Sequence, residues 1–81
     1  MYFIYILKSD KDGSYYVGQT ADLAARLARH NIGSVPSTRG HAPYKMIYHE
    51  SYPTRSAAVQ REHEIKSYKG GSAFKKLIGE I

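Results

Sequence analysis

The sequence predicts an α+β fold with three strands and three helices in the order β-β-α-β-α-α, and three observations carry that expectation. An unbroken apolar and aromatic run occupies residues 2–7 (YFIYIL). Turn chemistry at residues 9–14 (SDKDGS) separates it from a second, shorter run. Two stretches of helical periodicity follow, each preceded by a threonine that can cap it.

Each element has a local reason. Residues 2–7 carry β-branched side chains without polar alternation, which suits a strand covered on both faces and central in its sheet. Asp12-Gly13 is a strong tight-turn signal and joins that strand to Tyr15-Tyr16-Val17 as an antiparallel hairpin, with Gly18 read as the break after it. The first helix is expected from a Thr20 cap through Asn31. Asp22 then sits in the first turn, where the helix dipole favours negative charge, and Leu23 and Leu27 form the apolar stripe. Residues 32–43 (IGSVPSTRGHAP) lack periodicity and read as a loop, at a length where loops are often functional. Residues 44–52 alternate imperfectly and read as a third strand ended by Pro53. Thr54 caps a second helix from Arg55 to about Tyr68, Gly70-Gly71 stops it, and Ser72 can cap a short last helix through Ile78. No repeat or linker appears, so residues 1–81 are expected to form one domain.

Composition narrows the function. Without cysteine there is neither a disulfide framework nor a thiolate metal site. Twelve Lys and Arg against seven Asp and Glu leave a net charge of +5, which points to a polyanionic partner, nucleic acid before membrane. No apolar stretch approaches the ~20 residues of a membrane span and no secretory leader pattern opens the chain, so a cytoplasmic protein with no membrane partner is expected. His30, His41, His49 and His63 lack metal-ligand spacing, and no nucleophilic triad or phosphate-binding glycine loop is present.

Two positions stand out. Arg26 and His30 lie one turn apart on the border of the Leu23/Leu27 stripe, so both aim at the edge of the core. On the second helix, Glu62 falls inside the apolar arc of Ala58, Val59 and Ile65. A carboxylate aimed at a core needs a cation, hydrogen bonds, a metal or a proton. An i, i+4 ion pair with Lys66 or an arginine across the core meets that need. So does a hard divalent ion such as Mg²⁺, which takes one or two carboxylates and fills its other positions with water and phosphate oxygens.

Together these residues resemble the GIY-YIG nuclease domain, in its short stand-alone bacterial form and more distantly in the repair protein UvrC and homing endonucleases. Phe3-Ile4-Tyr5 matches the first half-motif, with Phe3 where the motif has glycine, and Tyr16-Val17-Gly18 matches the second, the tyrosines eleven residues apart. Arg26 stands where the family keeps its catalytic arginine, and His30 where many members have a histidine. Glu62 matches the metal-binding glutamate within Arg61-Glu62-His63-Glu64-Ile65-Lys66, and His30-Asn31-Ile32-Gly33 is similar to another short-member signature.

The resemblance implies a three-stranded antiparallel sheet flanked by helices, and a DNA endonuclease that uses one Mg²⁺ or Mn²⁺ ion and leaves a 5′-phosphate and a 3′-hydroxyl. DNA repair or processing, with branched or damaged DNA as substrate and a targeting protein as partner, follows from the same likeness. On this reading Glu62 holds the metal, Arg26 grips phosphate with a fixed two-pronged fork, Tyr5 is the base assisted by His30, and Tyr16 positions water or phosphate. A free tyrosine is only ~0.1% phenolate at pH 7, so neighbouring cations would have to lower the Tyr5 pKa. Arg39, in the stretch Thr38-Arg39-Gly40-His41, can reach a phosphate backbone, and so can Lys66 and Lys69; a solvated surface is the alternative for each. A non-catalytic nucleic-acid-binding module and a partner-docking adaptor remain open as other uses of the same fold.

Overall fold

A computed structural model describes residues 1–36 and 38–79. Residue 37, inside the expected loop, and residues 80–81, at the end of the expected domain, lie outside the described residues. The observed order is β1 (Tyr2–Ser9), β2 (Tyr15–Thr20), α1 (Leu23–Asn31), a 3₁₀ turn (Arg39–His41), β3 (Tyr44–Tyr52), α2 (Arg55–Ser67) and α3 (Ser72–Leu77). The strands form one antiparallel sheet in the order β2-β1-β3.

The apolar run is central because both faces of β1 are covered. Ile4 and Ile6 pack with Val17, Ala58, Ile65 and Phe74 on the α2/α3 side. Tyr5 and Leu7 pack with Tyr44, Tyr16, Leu23 and Leu27 on the α1 side. Two thin cores therefore share one strand, and period-2 alternation sends successive β1 residues to opposite cores.

The imperfect alternation of β3 has a geometric cause. Leu7 pairs with Met46 but Ile6 pairs with Tyr48, so Ile47 is an extra residue, a bulge that reverses which face its neighbours occupy. Tyr44 and Met46 thus join the α1 core while Tyr48 and Tyr52, of the same parity, join the α2 core. Glu50 lies between those two tyrosines and receives both hydroxyls along with the Nε and Nη2 of Arg61 on α2, at 2.9 and 3.0 Å. Burial works to raise the Glu50 pKa, but the Arg61 hydrogen bonds, with those from Tyr48 and Tyr52, outweigh it and hold the group down to about 2.

Several boundaries differ from expectation. β2 does not break at Gly18 but runs on to Thr20. Asp22, not Thr20, caps α1, its carboxylate accepting from the Ala25 amide at 3.1 Å, while the Thr20 hydroxyl accepts from the Asp22 amide and so shapes the approach. Thr54 does cap α2, accepting from the Ala57 amide at 3.2 Å. Gly71, not Ser72, is the cap residue of α3.

At the far end of α1, Asn31 ties the helix to the sheet. Its Oδ1 accepts from the Tyr44 amide at 2.6 Å and its Nδ2 donates to the Tyr44 carbonyl at 3.3 Å. Gly33, at φ +78, then turns the chain where a side chain would be strained. These contacts fix α1 over β1 and thereby set the position of His30.

Candidate active site

The middle of β1 supplies the first side chain. Tyr5 is buried, and its neighbour across the ladder is Gly18 of β2. A Cβ at position 18 would lie 2.6 Å from the Tyr5 hydroxyl and 2.8 Å from Cζ. Glycine is there because the phenol occupies the space of its side chain, not to end the strand.

His30 is equally buried and meets that phenol. The Tyr5 hydroxyl and His30 Nε2 are 3.0 Å apart, and His30 Nδ1 is 2.7 Å from Thr38 Oγ1. The Thr38 hydroxyl donates to the Val35 carbonyl at 3.4 Å, so it accepts from Nδ1–H, and Nε2 is left to accept from Tyr5. Burial, reinforced by the positive charges of Arg26 and Arg29, lowers the His30 pKa and keeps the ring neutral. Tyr16 completes the cluster, its ring centroid 4.8 Å from that of His30 and 6.2 Å from that of Tyr5.

Two charges are felt at Tyr5. Arg26, on α1, acts to lower its pKa and Glu62, on α2, to raise it. Burial is the largest influence and raises it, with Tyr16 adding to the rise, so the phenol stays protonated well above the usual tyrosine range. The expected net lowering of the Tyr5 pKa by neighbouring cations is therefore not what the folded chain does. Arg26 is present, but desolvation outweighs it.

Glu62 is neither turned out to bulk water nor sealed, its side chain 15% exposed. Its Oε2 takes a hydrogen bond from Lys66 Nζ at 2.5 Å, the i, i+4 pairing. Among the described residues no group of three or more His, Cys, Asp or Glu side chains forms a metal site. A single part-exposed carboxylate fits a magnesium-type ion, which takes the rest of its shell from water and phosphate, and does not fit zinc.

Of the remaining candidates, Lys66 and Lys69 line a cavity together with Tyr16, whereas Arg39 folds back on the loop, its Nε donating to the Gly33 carbonyl at 2.9 Å. Thr38, at the start of the same stretch, is buried against His30. A second cavity is lined by Gln19, Asp22, Arg26, Arg29 and Arg55. Sequence reasoning missed Arg29 and Arg55, although Arg29 sits three residues beyond Arg26, the spacing of neighbours on a helix face.

The chain is similar to a UPF0213 protein of Haloquadratum walsbyi, 44% identical over 83% of this chain and 75% of that one. It is 43% identical to a UPF0213 protein of Staphylococcus epidermidis over 83% of this chain and 82% of the relative. The solution NMR structure of a UPF0213 protein from Bacillus halodurans is 30% identical, with a TM-score of 0.49 over 94% of each chain. A family model described as the GIY-YIG catalytic domain matches residues 1–75, and the chain belongs to that nuclease family.

Proposed function

We propose that residues 1–81 form a single divalent-metal-dependent DNA endonuclease domain, hydrolysing a phosphodiester to leave a 5′-phosphate and a 3′-hydroxyl. The observation that carries this reading is the hydrogen-bonded path from Tyr5 through His30 to Thr38, with the charges of Arg26 and Glu62 both felt at Tyr5.

The path removes the difficulty of a high phenol pKa. Tyr5 need never exist as free phenolate: as its oxygen takes a proton from the attacking water, its own proton passes to the neutral Nε2 of His30. Thr38 accepts from Nδ1–H and so holds the tautomer that leaves Nε2 open. Tyr16, half-buried beside them, orients the water or a phosphate oxygen. Arg26 grips the phosphate with two parallel donors and meets the charge that develops as the bond to water forms. Glu62 would hold the Mg²⁺ or Mn²⁺ ion in place of its pairing with Lys66, whose ammonium would then be open to a phosphate. When bound, that ion supplies charge neutralisation and help to the leaving oxygen.

We place the enzyme in the cytoplasm, in repair or processing of branched or damaged DNA, with a partner protein supplying targeting. The Glu62–Lys66 ion pair favours one other reading, a nucleic-acid-binding module, because it satisfies the carboxylate without a metal. The test is nicking of plasmid and branched DNA with Mg²⁺ or Mn²⁺, comparing wild type with Glu62→Ala and Arg26→Ala. Metal-dependent cutting by wild type alone is expected. DNA binding without any cutting above the two variants establishes the binding module instead.

A further inference from the structure

The chemistry above leaves one cavity at the sheet edge unused. About 320 Å³ in volume, it lies where β2 meets the end of α2 and α3, lined by Tyr15, Tyr16, Ile65, Lys66, Lys69 and Phe74. Tyr15 and Tyr16 point to opposite faces of an edge strand, so the cavity opens at the margin where both cores end. Its walls are aromatic and apolar, its charged lining residues are both lysines, and no acidic residue lines it among the described residues.

Tyr15 is the residue whose position needs explaining. It is 37% exposed, yet its ring is braced edge-to-face by Phe74 at a centroid distance of 5.0 Å, and Lys8 Nζ lies 5.6 Å from its ring centroid. A braced, part-exposed aromatic ring with one lysine over it and two more lining its cavity offers a nucleobase a surface to stack on and its flanking phosphates their cations. The cavity is at the small end for ligand pockets, suited to one ring system and too small for a base pair. It is also continuous with the catalytic face, because Tyr16 lines it and Lys66 links it to Glu62.

Resting on the nuclease reading, we infer that this cavity takes an unpaired nucleobase next to the cleaved phosphate, so the enzyme acts where a strand has left the duplex. A base inside an intact helix is stacked on both sides and cannot enter without being extruded. Forks, flaps and single strands present it at no such cost.

The test uses the full chain in EDTA, so that DNA is bound and not cut, with 2-aminopurine placed either unpaired at a fork or paired in a continuous duplex. Binding is expected to quench the unpaired probe at least about twofold, and Tyr15→Phe to do the same. Tyr15→Leu, which keeps an apolar contact for Phe74, is expected to lose the quench and bind the fork at least about fivefold more weakly at an unchanged melting temperature. An abasic residue in place of the probe must cost wild-type protein a similar factor, an arm that needs no variant. Equal affinity for fork and duplex, or an undiminished quench with Tyr15→Leu, overturns the inference. Adding Mg²⁺ separates the two claims. A Tyr15-dependent quench without cleavage keeps the base site and sinks the nuclease reading, whereas equal cleavage of fork and duplex, with no Tyr15 dependence, does the reverse.

Discussion

Replacing Gly18 with alanine tests the packing from which the whole site hangs. Gly18 has no positive φ, so an alanine in an extended strand would ordinarily stabilise by ~0.5–1 kcal/mol through the entropy it removes from the unfolded chain. Here the new methyl would lie 2.6 Å from the Tyr5 hydroxyl and 2.8 Å from Cζ, well inside contact distance. The phenol cannot yield cheaply, because Tyr5 is buried and its hydroxyl is held 3.0 Å from His30 Nε2. Overpacking a filled core costs roughly 1–3 kcal/mol, and breaking the Tyr5–His30 bond adds about 1 kcal/mol, so after the entropic gain a net loss of about 1–3 kcal/mol is expected. In a domain of this size that lowers the melting temperature by roughly 5–20 °C. Urea unfolding followed by far-UV circular dichroism measures it, and Tyr5→Phe provides the control. Removing the hydroxyl relieves the shorter contact but not the one to Cζ, so Gly18→Ala should cost about 1 kcal/mol less in the Tyr5→Phe background. If Gly18→Ala is as stable as wild type or more so, the close approach is wrong and glycine is there for another reason.

Two further expectations concern pH and salt. Glu50 titrates near 2 in the folded chain against an ordinary 4.5, so its contribution is fully present above pH 4.5 and disappears as the pH falls toward 2. That is on the order of 3 kcal/mol, and Glu50→Gln should remove that slope from the unfolding free energy. His30 is also depressed, from an ordinary 6.5, so the unfolded chain takes up the proton first. Stability is then highest above pH 6.5 and erodes below it, a step that His30→Gln should lack. Arg29 and Arg55 line a cavity with Arg26, and Arg55 also stacks over Tyr2 at 5.2 Å. If they contact the DNA backbone, changing either to alanine lowers the slope of log affinity against log salt by about one, whatever the base sequence; unchanged slopes exclude the contact.

The fold was legible where the signal was local. An unbroken apolar run can only be a strand with two covered faces, and Asp12-Gly13 and Thr54 act within a few residues of themselves, so β1, the hairpin and the start of α2 were readable. What escaped depends on partners far along the chain. The bulge at Ile47 exists because β3 must feed both cores, and nothing inside residues 44–52 says where it falls. The embrace of Glu50 by Arg61 joins residues 11 apart on different elements. Gly18 looked like a break because a sequence cannot display the phenol that fills its place. Site residues were readable as oddities, a carboxylate in an apolar arc and a histidine at the border of a stripe. The depth of Tyr5, which sets its protonation, comes only with the packing of α1 over the sheet.

The central claim is that the Arg26 guanidinium stabilises a reacting phosphate rather than merely attracting DNA. Single-turnover cleavage by Arg26→Lys at saturating DNA and Mg²⁺ tests it most directly, because lysine keeps the charge and loses the fork. DNA affinity within about threefold of wild type and a cleavage rate lower by about 100-fold or more are expected. A rate within a few-fold of wild type would contradict it.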